Sequence, residues 1–258
     1  MKNTNIIPVI NNKGGVAKTI TAVTTASILA EKGYKTLLID LDQQANATSA
    51  VGVKVSINDL TIYDIFFNRK TVDEVAVKTE YENLELIPSS SAFVSAISRL
   101  TAERIPDKDN ILNRAITNSK TEYDYIIIDC PPALDLIITN AIMPATNVVI
   151  VTSPRKFSTD GIKGILGFIN DYKPYMQNFK GMGVLITMYE KRRNIIDGVV
   201  KSIKAQQHLN VYNTMISKST VIEQSAYMGE PINHFDSNSR SSKQYADFVE
   251  EMMERYND

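Results

Sequence analysis

The chain has 258 residues, 43% of them hydrophobic, and its 28 basic and 29 acidic side chains leave a formal net charge of −1. That content supports a sizeable core, and the near-neutral charge excludes a bulk polycation, so any nucleic-acid contact must come from a local patch. Cys130 is the single cysteine, which excludes an intramolecular disulfide and fits a reducing cytosol; no apolar run approaches the ~20 residues that span a bilayer.

The first five residues lead straight into an apolar run, which leaves no room for a signal peptide. That run, 6–11, reads as a strand, and a helix is expected over 18–32 with Gly33 as its stop. Between them lies Lys13-Gly14-Gly15-Val16-Ala17-Lys18-Thr19. Strand, glycine loop, helix is the context a phosphate-binding loop requires. Gly14 and Gly15 let the backbone turn sharply and bring N–H groups toward phosphate oxygens. The following helix aims its positive end at the same anion. Lys18 can reach β and γ phosphates, and the Thr19 hydroxyl can ligate Mg²⁺. The general pattern is G-x-x-x-x-G-K-[ST]; here Asn12 and Ala17 hold the two glycine positions, and an extra lysine, Lys13, opens the loop.

Further strands are expected at 36–40, 84–88, 125–129, 148–152, 182–187 and 211–216. Ile126-Ile127-Ile128 and Val148-Val149-Ile150-Val151 do not alternate with polar residues, as suits strands buried on both faces. Helices are expected at 91–103, 108–118, 134–143, 159–172, 195–208, 221–228 and 240–256. The alternation predicts an α/β fold, a mostly parallel twisted sheet flanked by helices on both faces, and the glycine loop marks it as of the P-loop NTPase type. Without repeats, low-complexity tracts or a Pro/Gly/Ser linker, residues 1–258 read as one domain.

Ligands of open α/β sheets bind at the carboxyl ends of strands. The glycine loop, Asp40, Asp42, Asp129 and Thr152 all follow expected strands and should gather on one edge. Asp129 ends an apolar strand, where a carboxylate can hold Mg²⁺ through water, and Asp40 offers a second carboxylate for the same ion. Each site also has a plainer reading. Asp40 and Asp129 could be helix N-caps, Asp42 a solvated loop acid, and Lys13 an exposed lysine. Cys130 reads as a small buried residue. Lys191, Arg192, Arg193, Lys201, Lys204 and Lys218 face only Glu190 and Asp197 between positions 190 and 218, a local basic bias or a solvated helix face.

The loop with its second lysine resembles the deviant Walker A loop of the ParA/MinD ATPases. Leu37-Leu38-Ile39-Asp40-Leu41-Asp42-Gln43-Gln44-Ala45-Asn46-Ala47-Thr48 resembles that family's switch I, and Tyr125-Ile126-Ile127-Ile128-Asp129-Cys130-Pro131-Pro132 its Walker B strand and switch II. Thr187-Met188-Tyr189 with the basic run after it resembles a late family segment. The resemblance runs from Ile6 to about Tyr256, and to the short members that lack an N-terminal helix-turn-helix module.

The resemblance implies an ATP site formed by Lys13, Gly14, Gly15, Val16, Ala17, Lys18, Thr19 and Ile20, with Mg²⁺ held by Thr19, Asp40 and Asp129. Lys18 contacts the phosphates, and Asp42 positions or activates the attacking water. Lys13 crosses a two-fold interface to the partner's nucleotide and acts like an arginine finger. Met188, Pro231 and Asn233 are the implied adenine contacts, against a reading as ordinary loop packing. Lys191, Arg192, Arg193, Lys218, Arg240 and Lys243 are the implied contacts to DNA phosphates, made when two subunits pair. Lys218 and Val221 stand where the family often has arginine, and Gln43 replaces a frequent proline.

The implied function is DNA partition. An ATP-bound homodimer would bind double-stranded DNA without sequence preference, in the cytoplasm on the nucleoid, until a ParB-like centromere-binding activator stimulated hydrolysis. A MinD-like membrane-associated ATPase is the alternative, but its relatives end in a basic amphipathic helix, whereas acids outnumber bases from Asp247 to Asp258 and anionic lipid would repel them. No membrane contact is therefore expected. A positioner of a non-DNA cargo is a third reading. A metal-cluster relative is disfavoured by the lack of paired cysteines.

Overall fold

The computed structural model describes residues 4–154, 158–190 and 194–257. In chain order the elements are β1 (Asn5–Ile10), α1 (Lys18–Glu31), β2 (Thr36–Asp40), α2 (Asn46–Ser49), α3 (Ile62–Phe67), α4 (Val72–Val75), β3 (Val77–Lys78), β4 (Leu84–Ile87), α5 (Ala96–Ala102), α6 (Ile111–Thr117) and β5 (Tyr125–Asp129). They continue as α7 (Leu136–Ile142), β6 (Asn147–Thr152), α8 (Ser158–Tyr172), β7 (Gly181–Tyr189), α9 (Asn194–Lys204), β8 (Val211–Ser217), α10 (Thr220–Met228), α11 (Ile232–Phe235) and α12 (Arg240–Asn257).

The strands form one sheet in the order β3-β4-β2-β5-β1-β6-β7-β8. Every pairing is parallel except the two-residue edge strand β3 on β4. Alternate residues of each strand feed opposite cores, so both faces are apolar. Ile6, Ile10, Ile126 and Ile128 pack under α3, α5, α6, α7, α8 and α9. Ile7, Val9, Tyr125 and Ile127 pack under α1, α2 and α10 to α12.

The seven expected strands are present, β7 longer than expected. The strand β3 and the short helices α2, α3, α4 and α11 were not expected. Of these, α3 and α4 have six and four residues and are held by capping boxes, Thr61 with Asp64 and Thr71 with Glu74. The helix expected over 91–103 is instead a 3₁₀ turn, Ser91–Ser95, followed by α5. The one expected over 195–208 ends at Lys204, and a separate turn, Gln207–Leu209, follows.

Two glycines set corners that matter later. Gly33 (φ 87°) ends α1 by a Schellman closure: its N–H donates to Ala30 O and that of Tyr34 to Leu29 O. Gly229 (φ 74°) ends α10 against α2; a Cβ built there would lie 2.8 Å from the backbone oxygen of Ser49.

The face of α12 formed by Tyr245, Phe248, Val249, Met252 and Tyr256 recurs at i, i+3, i+4, i+7 and i+11, which is one helical stripe. The stripe is buried against α1 and β8. The Tyr245 hydroxyl meets Thr21 Oγ1 at 3.0 Å, and that of Tyr212 meets Tyr256 at 2.6 Å.

Candidate nucleotide-binding site

Parallel topology brings the carboxyl ends of β1, β2, β5 and β6 to one edge, and the glycine loop springs from β1 at its middle. The loop is pinned from three sides. The Asn11 amide donates to Val151 O, and Asn11 Oδ1 accepts from Lys13 N at 2.7 Å. Thr187 Oγ1, from β7, donates to Val16 O at 2.8 Å. Gly15 (φ 69°) and Ala17 (φ 63°) take left-handed backbone conformations that curl the loop.

Val16 and Ile20 are buried beneath the loop, whereas Gly14 and Gly15 face solvent. Ala17 precedes α1 and supplies no side-chain cap, so the positive end of a 14-residue helix opens onto the loop without one. By contrast, Asp135 caps α7 by accepting from Ile137 N and Ile138 N. An anion bound in the loop would stabilise the uncapped end. The Lys18 side chain folds into the loop and donates to Lys13 O at 3.3 Å. The Lys13 side chain runs beside α8: a Cβ at Gly161 would lie 3.4 Å from Lys13 Cε.

Asp40 and Asp129 are register partners on β2 and β5. Both are fully buried, yet their surroundings differ. Asp40 Oδ1 accepts from Asp42 N at 3.0 Å, and Oδ2 accepts from both Thr48 N and Thr48 Oγ1 at 2.8 Å. Neither oxygen of Asp129 has a hydrogen-bond partner. Burial pushes the Asp40 carboxyl up to about 6, against the pull of the Thr48 and Asp42 donors. Burial, reinforced by the charge of Asp40, drives Asp129 well above the usual carboxylate range; Thr19 and the Lys18 ammonium partly oppose this.

An orphaned buried carboxylate beside a threonine hydroxyl fits a divalent cation, which would supply the missing positive charge. No cluster of three or more His, Cys, Asp or Glu side chains suited to a metal occurs among the described residues. A Mg²⁺ here would therefore rest on Thr19, Asp129, water and phosphate oxygens, a donor set that suits the ion. Of the two carboxylates expected to serve the ion, Asp40 is the less available, since its oxygens already accept from Asp42 and Thr48. Neither aspartate serves as the N-cap of the helix that follows its strand, since Ala45 precedes α2 and Asp135 caps α7.

Asp42 is half-buried in the loop after β2. Its Oδ1 accepts from Gln44 N at 3.0 Å and its carbonyl from Ala45 N at 2.9 Å, a tight turn that leads into α2. Cys130 is 1% exposed, and burial pushes its thiol up, so it stays protonated.

The residues assigned to adenine lie farther out. Met188 is half-buried with φ 53°, at a register irregularity near the end of β7. Pro231 precedes α11. Asn233 is buried, donates to Ser27 Oγ at 2.9 Å and keeps an unpartnered Oδ1. Ser27 lies nine residues beyond Lys18, ~14 Å along α1, so Asn233 braces the flank of that helix away from the loop.

Of the residues assigned to DNA, Lys191, Arg192 and Arg193 lie outside the described residues. Lys218 is exposed and pairs with Glu190 at 3.3 Å. Arg240 and Lys243 are exposed on the first turn of α12. Gln244 bonds both Ser217 N, at 2.9 Å, and Ser217 Oγ, at 3.1 Å, which draws Lys218 toward that turn.

The AAA domain family matches residues 4–180. The sporulation initiation inhibitor protein Soj of Bacillus subtilis is 33% identical over 96% of this chain and 97% of its own. The chromosome partitioning protein ParA of Myxococcus xanthus is 32% identical over 97% of this chain and 88% of its own. Among solved structures, a Borrelia burgdorferi protein assigned to plasmid partition and bound to AMPPNP superposes with a TM-score of 0.84, at 25% identity, covering 98% of this chain and 100% of that one.

Proposed function

We propose that this chain, which belongs to the ParA/Soj family of P-loop ATPases, is a DNA partition ATPase that acts as a single domain over residues 1–258. The observation that carries the ATP site is the pinned glycine loop beside Asp129, whose buried carboxylate oxygens have no hydrogen-bond partner.

In this reading the backbone from Gly14 to Ala17 and the Lys18 ammonium bind the β and γ phosphates of ATP. Thr19 and Asp129 hold Mg²⁺, which when bound offsets phosphate charge. Asp42 orients the attacking water, and Lys13 of a second subunit neutralises charge as the γ phosphoryl group leaves. Met188 and Pro231 border the adenine. The ATP-bound homodimer binds double-stranded DNA through Lys218, Arg240, Lys243 and the run Lys191, Arg192 and Arg193, without reading sequence. A ParB-like protein bound to a centromere-like site stimulates hydrolysis and release. The site of action is then the cytoplasm, on the nucleoid.

The membrane-associated alternative needs a free amphipathic tail. Here the apolar stripe of α12 is buried, which supports DNA over lipid. No helix among the described residues is long and apolar enough to cross a membrane. The decisive test compares duplex DNA with anionic liposomes under the same ATP and Mg²⁺ conditions. ATP-dependent binding to unrelated duplexes, falling steeply with salt, is expected. Liposome binding without DNA binding would replace partition with the membrane reading, and neither activity would point to another cargo.

A further inference from the structure

We infer that Thr48 is a positioning residue for ATP hydrolysis: its hydroxyl ties the loop that carries Asp42 to the edge of the sheet and so sets where the Asp42 carboxylate sits. The inference rests on the proposed role of Asp42.

The helix α2 has only four residues. One helical turn does not hold its own shape, because fixing it costs more than its hydrogen bonds return. Its placement therefore depends on tethers, and these converge on Thr48. This side chain is 2% exposed. Its N–H and its hydroxyl both donate to Asp40 Oδ2, at 2.8 Å each. The same hydroxyl accepts from Ser89 N at 2.9 Å, just beyond β4. The other oxygen of Asp40 accepts from Asp42 N at 3.0 Å. Thus one hydroxyl connects β4, β2 and the loop, and Asp40 relays the connection to the residue proposed to face the water.

The donor and acceptor capacities of this hydroxyl are both in use, and every partner named is buried or backbone. Valine would match its volume while leaving Ser89 N–H buried and unpaired and Asp40 short of one donor. Serine would keep the hydroxyl and lose only a methyl group. Displacement of Asp42 by a fraction of an ångström would act on turnover, since misplacement of ~1 Å can cost about 10²-fold. Nucleotide affinity, which belongs to the glycine loop, would be spared.

The experiment measures single-turnover ATP hydrolysis by the full chain with Mg²⁺ and duplex DNA, alongside ATP affinity. Thr48→Val should lose roughly 10- to 100-fold in rate while its Kd stays within about threefold of wild type. Thr48→Ser should recover the rate to within about threefold. In an Asp42→Ala background Thr48→Val should add no further loss, because it acts through that carboxylate. A wild-type rate in Thr48→Val beside an inactive Asp42→Ala overturns this inference alone. An equal loss of ATP affinity in Thr48→Val, unrescued by serine, also overturns it in favour of a purely structural role. A wild-type rate in Asp42→Ala overturns the role of Asp42 and the inference with it.

Discussion

Replacing Gly229 by alanine perturbs the corner where α10 meets α2. Two costs add. At φ 74° an L side chain sits in the left-handed region, which costs about 1–2 kcal/mol. The new Cβ would also lie 2.8 Å from Ser49 O, a backbone atom that no rotamer change can clear. Relieving that overlap moves α10 or α2, at about 1–3 kcal/mol. Gly33→Ala isolates the first cost, since Gly33 has φ 87° and nothing within 4 Å of its Cβ position. Urea unfolding at constant m should therefore show Gly33→Ala destabilised by about 1–2 kcal/mol and Gly229→Ala by roughly 2–5 kcal/mol. For a chain of this size, each kcal/mol corresponds to about 2–4 °C in Tm. Ser49 ends the helix tethered through Thr48, so Gly229→Ala should also slow ATP turnover, whereas Gly33→Ala should not. Equal destabilisation by the two substitutions, with equal turnover, would refute the steric argument.

The buried carboxylates give a pH dependence whose sign runs opposite to that of ordinary paired acids. Asp40 rises from its usual 3.8 to about 6 and Asp129 shifts the same way, so the folded chain holds protons that the unfolded chain releases. Without nucleotide, the Asp40 contribution to stability is fully present below 3.8 and is lost as pH rises through about 6, and Asp129 acts in the same direction. Asp129→Asn should flatten that loss in urea titrations while abolishing the Mg²⁺ dependence of ATP binding; an unchanged pH profile would count against the buried pair. Asp73, lowered to about 2 by the donors of Lys120, Thr121 and Ser119, has the opposite sign: its contribution is fully present above 3.8 and is lost as pH falls through about 2. Lys13→Ala should bind ATP yet give no ATP-dependent dimer in light scattering, and an intact dimer would remove the trans role of this lysine. Charge reversal at Arg240 and Lys243 should weaken binding to all duplexes alike and reduce the salt slope by about one for each phosphate no longer neutralised; weakening confined to one sequence would contradict backbone recognition.

The glycine loop was legible because its chemistry is local: glycines, lysine and threonine at fixed offsets between a strand and a helix. The inner strands were legible because burial on both faces leaves unbroken apolar runs, as in Ile126 to Ile128. The strand β3 was not, since two residues carry no period. The helices α3 and α4 fall below the length at which periodicity speaks, although the spacings Thr61 to Asp64 and Thr71 to Glu74 are readable capping signals. The contrast between Asp40 and Asp129 could not be read at all. Both end apolar strands, and only the fold shows that Thr48, eight residues on, satisfies one and leaves the other bare. Lys218 likewise read as an uncommitted cation until folding set it beside Glu190.

The hydrogen bond between Thr21 and Tyr245 joins residues 224 positions apart. During synthesis the helix that carries Lys18 emerges long before the stripe that covers its flank. Until that stripe arrives, the side of α1 around Thr21, buried in the finished molecule, lacks its cover. Pairings so distant in sequence form late and slow folding, and uncovered apolar surface invites aggregation in the interval.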